Sequence, residues 1–148
     1  MHDMNDQDMA AKERIKNPAS LAYLSIVAGA VIGVGTLTVL GARGMVSTME
    51  GLPFLPIRIF GLVLLVSGFL AIGMLSGGIP PRSPGADPLV WWKANSVRAV
   101  ATWAAAEGMA IAGGVFWLLS GDVILYGCLV GGGLVLLLLN RPQRMMEG

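Results

Sequence analysis

Long apolar segments separated by short polar connections are the feature of this sequence that most limits its fold. Charged residues gather at the two ends and in the connections, and they make up only 13% of the 148 residues, against 55% hydrophobic residues. A soluble domain of this size has too little interior to bury so much apolar surface. Together with a mean hydropathy of +0.71, this predicts an integral membrane protein.

Four segments are predicted to cross the bilayer as helices, namely residues 19–40, 57–75, 97–119 and 123–139. A membrane-spanning helix needs about 20 apolar residues, and the last segment, about 26 Å long at 1.5 Å per residue, is just sufficient. The predicted fold class is therefore all-α: a transmembrane four-helix bundle of two hairpins. The bundle covers residues 19–140, with a polar tail at 1–18, including a short helix, and another tail at 141–148.

The connections between the segments contain residues that end helices. Pro53 and Pro56 are predicted to stop helix continuation in the first connection, and the Gly- and Pro-rich residues 76–95 form the longest loop. Asp122 lies in a tight turn, where it can cap the fourth helix. Arg58 starts the second segment, where its long side chain can reach the lipid headgroups.

The distribution of basic residues predicts the orientation. With four spans, both termini lie on the same side as the loop at 76–95. Only Arg43 and Arg58 lie on the opposite side. The positive-inside rule then places both termini in the cytoplasm, in the cell inner membrane. The basic residues on the predicted cytoplasmic side are Lys12, Arg14, Lys16, Arg82, Lys93, Arg98, Arg141 and Arg144.

Glu107 is the candidate functional residue. It lies about ten residues inside the third segment, roughly 15 Å deep and close to the bilayer midplane. A carboxylate at that depth is costly, and such residues usually serve a proton or ion site or bond to a neighbouring helix. A protonated carboxyl would be favoured there, and it could bind and release a proton.

Small residues recur at helical spacing around Glu107 and in the first segment. In a membrane they allow helices to approach closely. They indicate either tight packing within one bundle or packing between subunits. The predicted packing residues are Gly29, Gly33, Gly35, Ala106, Ala110, Gly113 and Gly114.

Aromatic and basic residues before the third segment are predicted to anchor it at the membrane interface. They are Trp91, Trp92, Lys93 and Arg98. Trp103, four residues before Glu107, is expected to pack in the core or against lipid.

Composition also excludes several functions. A net charge of +1 gives no case for nucleic-acid binding. His2 and Cys128, the only histidine and the only cysteine, cannot assemble a metal site. Neither a catalytic set of side chains nor a phosphate-binding loop is present. We therefore predict neither an enzyme nor a cofactor.

Residues 104–115, AAAEGMAIAGGV, resemble the carboxylate-bearing helix of the proteolipid c subunits of rotary ATPases of the F and V types. Residues 29–35, GAVIGVG, resemble the glycine-rich packing helix of that family. The resemblance implies that Glu107 takes up the transported ion. The sequence departs from the family in its long proline-rich loop and in the place of its glycine-rich segment, which is not on the helix immediately before Glu107.

These observations leave three functional hypotheses. The first is a proteolipid-like membrane subunit that binds or relays protons at Glu107. The second is an accessory or assembly subunit of a membrane complex, in which Glu107 makes a structural hydrogen bond. The third is a small oligomeric transporter. In each case the expected partners are the lipid bilayer and either further copies of the chain or other subunits of a membrane complex.

Overall fold

The computed structural model describes residues 3–44 and 54–147, and their regular secondary structure is entirely α-helical, as predicted. Three helices are long and apolar enough to cross a membrane, over Ala19–Ala42, Pro56–Gly77 and Pro88–Ser120, and Val123–Leu139 forms a shorter apolar helix. These findings support an integral membrane protein. The helices are α1 (Asp3–Ala42), α2 (Phe54–Gly77), α3 (Pro88–Ser120), α4 (Val123–Leu139) and α5 (Pro142–Glu147).

Helix α3 is the central element, because α1, α2 and α4 all pack on it. Helix α1 runs parallel to α3: Gly29 lies beside Glu107 and Gly41 lies beside Trp117. Helix α4 returns antiparallel to α3, with Gly133 against Ala106. Much of the outer surface consists of large apolar side chains, as lipid contact requires.

One end of the bundle is closed by hydrogen bonds from two aromatic side chains to the end of α4. The Tyr23 hydroxyl donates to the carbonyl oxygen of Leu137 at 2.9 Å, and the Trp103 indole N–H donates to the carbonyl oxygen of Asn140 at 2.6 Å. We call this the Tyr23 end. It includes the connection between α2 and α3, because the Arg98 guanidinium donates to the Gly78 carbonyl oxygen.

The opposite end, here called the Asp122 end, is held by an ion pair. Nε of Arg58, near the start of α2, lies 2.9 Å from Oδ2 of Asp122, in the turn between α3 and α4. Asp122 also caps α4, as predicted, because its Oδ1 accepts from the backbone N–H groups of Ile124 and Leu125 at 3.1 Å. Arg58 was expected to reach the headgroups, whereas the structure pairs it with Asp122.

Helix α1 begins at Asp3, so most of the predicted polar tail at 1–18 is helical and continuous with the first apolar segment. Residues 10–14 are Ala, Ala, Lys, Glu and Arg, all strong helix formers, and they extend the helix beyond the apolar segment. Pro18 lies inside α1 without ending it.

Helix α3 begins at Pro88, well before the predicted start at residue 97. Asp87 is its N-cap, with Oδ1 accepting from the Leu89 backbone N–H at 2.8 Å, and proline suits the first helical turn because no intrahelical bond is lost there. Pro56 likewise lies in the first turn of α2, which begins at Phe54, rather than stopping a helix. Pro53 lies outside the described residues. Helix α4 covers residues 123–139, as predicted.

Candidate functional site

The Glu107 carboxyl group lies between the two parallel helices α1 and α3. Glu107 is half-buried, and its Oε1 fills the space beside Gly29 where any other residue would place its Cβ. The carboxyl group therefore points at the α1 backbone rather than away from the bundle. Glycine at position 29 is what allows α3 to carry a side chain of this length on the face that meets α1.

The same face of α1 meets α3 at each turn. A Cβ built on Gly33 would lie 3.4 Å from Cγ1 of Ile111, an ordinary contact, and one on Gly114 would lie 2.8 Å from Cδ1 of Leu37. Small and large residues thus alternate between the two helices. Close backbone approach of this kind is how helices associate in lipid, where apolar burial supplies little drive.

Within the part of the chain that the structure describes, Glu107 has neither a hydrogen bond nor an ion pair, and the nearby donors on α3 are engaged elsewhere. The Thr102 hydroxyl donates to the Arg98 carbonyl oxygen at 2.8 Å, and the Trp103 indole donates to Asn140. Glu107 is therefore a half-buried acid on the central helix to which no described group donates a hydrogen bond.

Aromatic rings pack next to this site on the side of the Tyr23 end. Trp103 precedes Glu107 by one helical turn and is 0% exposed. Of its two expected environments, core and lipid, it therefore lies in the core. Its ring lies 5.3 Å from the Tyr23 ring, edge to face, and 6.2 Å from that of Trp92. The site therefore has a dense aromatic layer towards this end.

The other predicted packing residues serve different interfaces. Ala106 and Ala110 meet Gly133 of α4, where an added Cβ would come 2.6 Å from the Ala106 carbonyl oxygen and 2.9 Å from Ala110 Cβ. Gly113 also faces α4, because its Cβ would lie 2.8 Å from Leu129 Cβ. Gly35 is different: nothing among the described residues lies within 4 Å of its Cβ position, and it is exposed.

The predicted interfacial anchors divide into buried and exposed residues. Trp91 is only 8% exposed, and its indole donates to the Pro80 carbonyl oxygen at 2.9 Å, so it fastens the connecting loop to α3. Trp92 is half-buried against Trp103. Lys93 and Arg98 are exposed at the Tyr23 end.

Two contacts that matter for the architecture were missed by sequence reasoning. The ion pair between Arg58 and Asp122 could have been found, because the predicted topology places both residues at the same end. Met109, which fits between Gly68 of α2 and Gly132 of α4, could not, because a methionine in an apolar helix carries no signal of its neighbours.

Comparison with protein-family models, with curated proteins and with solved structures finds no match to this chain.

Proposed function

We propose that this chain is a small multi-pass membrane protein in which Glu107 binds and releases a proton inside the bilayer. The observation that carries the proposal is a half-buried carboxyl group on the central helix with no hydrogen-bond or ion-pair partner among the described residues. Such a residue in a membrane segment is a functional candidate by default. The proposed setting is the inner membrane, with four spans, both termini in the cytoplasm, and the chain acting as a homo-oligomer or as a subunit of a larger complex.

The packing of α1 on α3 supports a proteolipid-like role. The glycine-rich residues 29–35, which resemble the packing helix of rotary-ATPase c subunits, include Gly29 and Gly33, and both lie against α3 at Glu107 and Ile111. Unlike the two consecutive, antiparallel helices of a hairpin, α1 and α3 run parallel and are separated in sequence by α2. The observation that supports the comparison is that the Glu107 carboxyl group of this chain lies against Gly29 of α1.

The chemistry proposed for the site is reversible protonation. Release of the proton requires water or a cation to reach the carboxyl group, because an isolated charge in the hydrocarbon region is costly. Because Glu107 is half-buried rather than sealed, such an approach requires only a modest separation of α1 from α3. A proton could then leave and return without unfolding of the bundle.

Labelling with a hydrophobic carbodiimide tests this proposal, because that reagent modifies protonated carboxyl groups in apolar surroundings. We expect Glu107 to be labelled, faster at pH 5 than at pH 8, and Glu107→Gln to abolish labelling while leaving thermal unfolding in detergent nearly unchanged. Asp87→Asn is the matched control, since Asp87 is an exposed helix cap. Absence of label in a folded sample between pH 5 and 8 would contradict proton exchange.

A second candidate function, an accessory or assembly subunit, is favoured by the close fit of Glu107 to Gly29. In that role the carboxyl group fixes the register of α1 on α3 and does not exchange protons. Replacing Glu107 with Gln keeps the shape and should preserve function, whereas Glu107→Ala should weaken assembly. Proton exchange predicts instead that both variants lose function equally.

A further inference from the structure

We propose that the Tyr23 end of the bundle is a binding surface for the headgroups of anionic phospholipids. The surface consists of four exposed cations, here called the basic rim: Lys93, Arg98, Arg141 and Arg144. The inference is independent of any role of Glu107.

The charge balance at this end is strongly positive. Among the described side chains there, the acidic one is Asp87, and its Oδ1 already accepts the capping hydrogen bond from Leu89. At the Asp122 end the cations are Arg43, which is exposed, and Arg58, which is paired with Asp122. The two ends therefore differ in the charge that they offer to a lipid surface.

The N-terminal part of α1 adds little net charge near this end. It contains four acidic residues, Asp3, Asp6, Asp8 and Glu13, and three basic residues, Lys12, Arg14 and Lys16. The acid closest to the apolar segment, Glu13, is six residues before Ala19, about 9 Å along the helix at 1.5 Å per residue. It lies in sequence between Lys12 and Arg14, so this part of the helix does not offset the positive charge of the rim.

The rim also lies at the depth of the headgroups. Helix α3 has 33 residues, about 50 Å, whereas about 20 residues cross the hydrocarbon core. With Ser120 at the far boundary, the near boundary falls close to Val100, so Lys93 and Arg98 lie in the headgroup layer. Val97, between them, is 79% exposed and offers an apolar contact to the upper acyl chain.

Arginine is suited to this partner. The Arg98 guanidinium donates one hydrogen bond to Gly78, which fixes its position while other N–H groups stay available, and guanidinium groups bind phosphate in a bidentate manner. Arg141 follows the end of α4 and is close enough to Tyr23 to interact with it electrostatically. Both arginines therefore lie at the end of the bundle where the length of α3 places the phosphate groups of one leaflet.

The test uses the full chain in nanodiscs containing equal amounts of phosphatidylglycerol and phosphatidylcholine, followed by extraction and native mass spectrometry of the retained lipids. We expect phosphatidylglycerol to be retained several-fold over phosphatidylcholine. Retention should fall about fivefold for each charge removed in Lys93→Gln, Arg141→Gln and Arg144→Gln, and it should fall as salt is raised. Arg43→Gln, an exposed cation at the other end, is the matched control and should not change retention.

Retention of both lipids in the bilayer ratio by the wild type would overturn the proposal. So would equal phosphatidylglycerol retention in the wild type and in a folded Lys93→Gln/Arg141→Gln/Arg144→Gln variant, or an equal loss in Arg43→Gln. If the triple variant does not fold, Lys93→Gln and the wild type at raised salt serve instead. Unchanged phosphatidylglycerol retention in both would overturn the proposal.

Discussion

The carboxyl group of Glu107 occupies the space beside Gly29 where a Cβ would otherwise lie, so any larger residue at position 29 must displace that carboxyl group. This joins the candidate functional residue to the packing of α1 on α3. It also means that a substitution on α1, far away in sequence, can act directly on the carboxyl group.

We expect Gly29→Ala to displace the Glu107 side chain. Because the atom it meets is the end of a flexible side chain that can rotate away, the free energy of unfolding should fall by less than about 1 kcal/mol relative to Gly35→Ala, which has the same gain in helix propensity. Thermal or denaturant unfolding in detergent measures the change. Gly35→Ala is the control, since nothing among the described residues lies within 4 Å of that position. Combining Gly29→Ala with Glu107→Ala should recover part of the loss; strictly additive losses would show that the two residues do not compete for the same space.

Larger side chains at the packing glycines should separate the helices. Gly33→Leu should open the contact with Ile111 of α3, and Gly113→Leu should force α4 away at Leu129, where even a Cβ would lie 2.8 Å from Leu129 Cβ. We expect both variants to unfold at clearly lower temperature than Gly35→Leu or Leu64→Ala, the latter shortening a half-buried side chain of α2. Size-exclusion chromatography in detergent reports loss of assembly. If Gly113→Leu and Gly35→Leu behave alike, close approach of α3 and α4 is not needed for stability.

The helical fold could be predicted from the sequence because apolar length alone decides what can cross a bilayer. The start of α3 could not be found in that way, since Asp87 and Pro88 fit a loop as well as a helix start, and only the capping hydrogen bond to Leu89 distinguishes the two. Spacing of small residues identified Gly29 and Gly33 as packing positions but also included Gly35, which is exposed. The periodicity of small residues identifies one face of a helix but does not show which neighbouring helix packs on that face.

The neighbours of Glu107 were likewise beyond sequence reasoning. Its depth follows from counting residues, whereas its contact with Gly29 depends on α1 and α3 packing together although α2 lies between them in sequence. The absence of a hydrogen-bond donor beside the Glu107 carboxyl group, among the described residues, can therefore be recognised only from the structure.

Reporter fusions test the proposed topology. Fusions after residue 18, within residues 80–87 and at the C-terminus should all report the cytoplasm, because the basic rim and the connection between α2 and α3 share one end of the bundle and basic residues favour that side. A fusion at Arg43 should report the opposite side. A cytoplasmic signal at Arg43 together with a periplasmic signal at 80–87 would show that the orientation is the opposite of the one proposed.

The ion pair between Arg58 and Asp122 should stabilise the end of the bundle opposite the basic rim. The Asp122 side chain is 4% exposed and the Arg58 side chain is 40% exposed. Removing Arg58 therefore leaves the buried carboxylate without its partner. We expect Arg58→Gln to lower the free energy of unfolding by about 1–3 kcal/mol. Asp122→Asn keeps a capping acceptor for Ile124 and Leu125 and should lose less than Asp122→Ala, which removes both the cap and the charge. In the double variant Arg58→Gln/Asp122→Asn, unfolding should be closer to wild type than the sum of the single losses predicts, because neither residue then leaves an unpaired charge. A purely additive result would show that the pair contributes nothing beyond the helix cap.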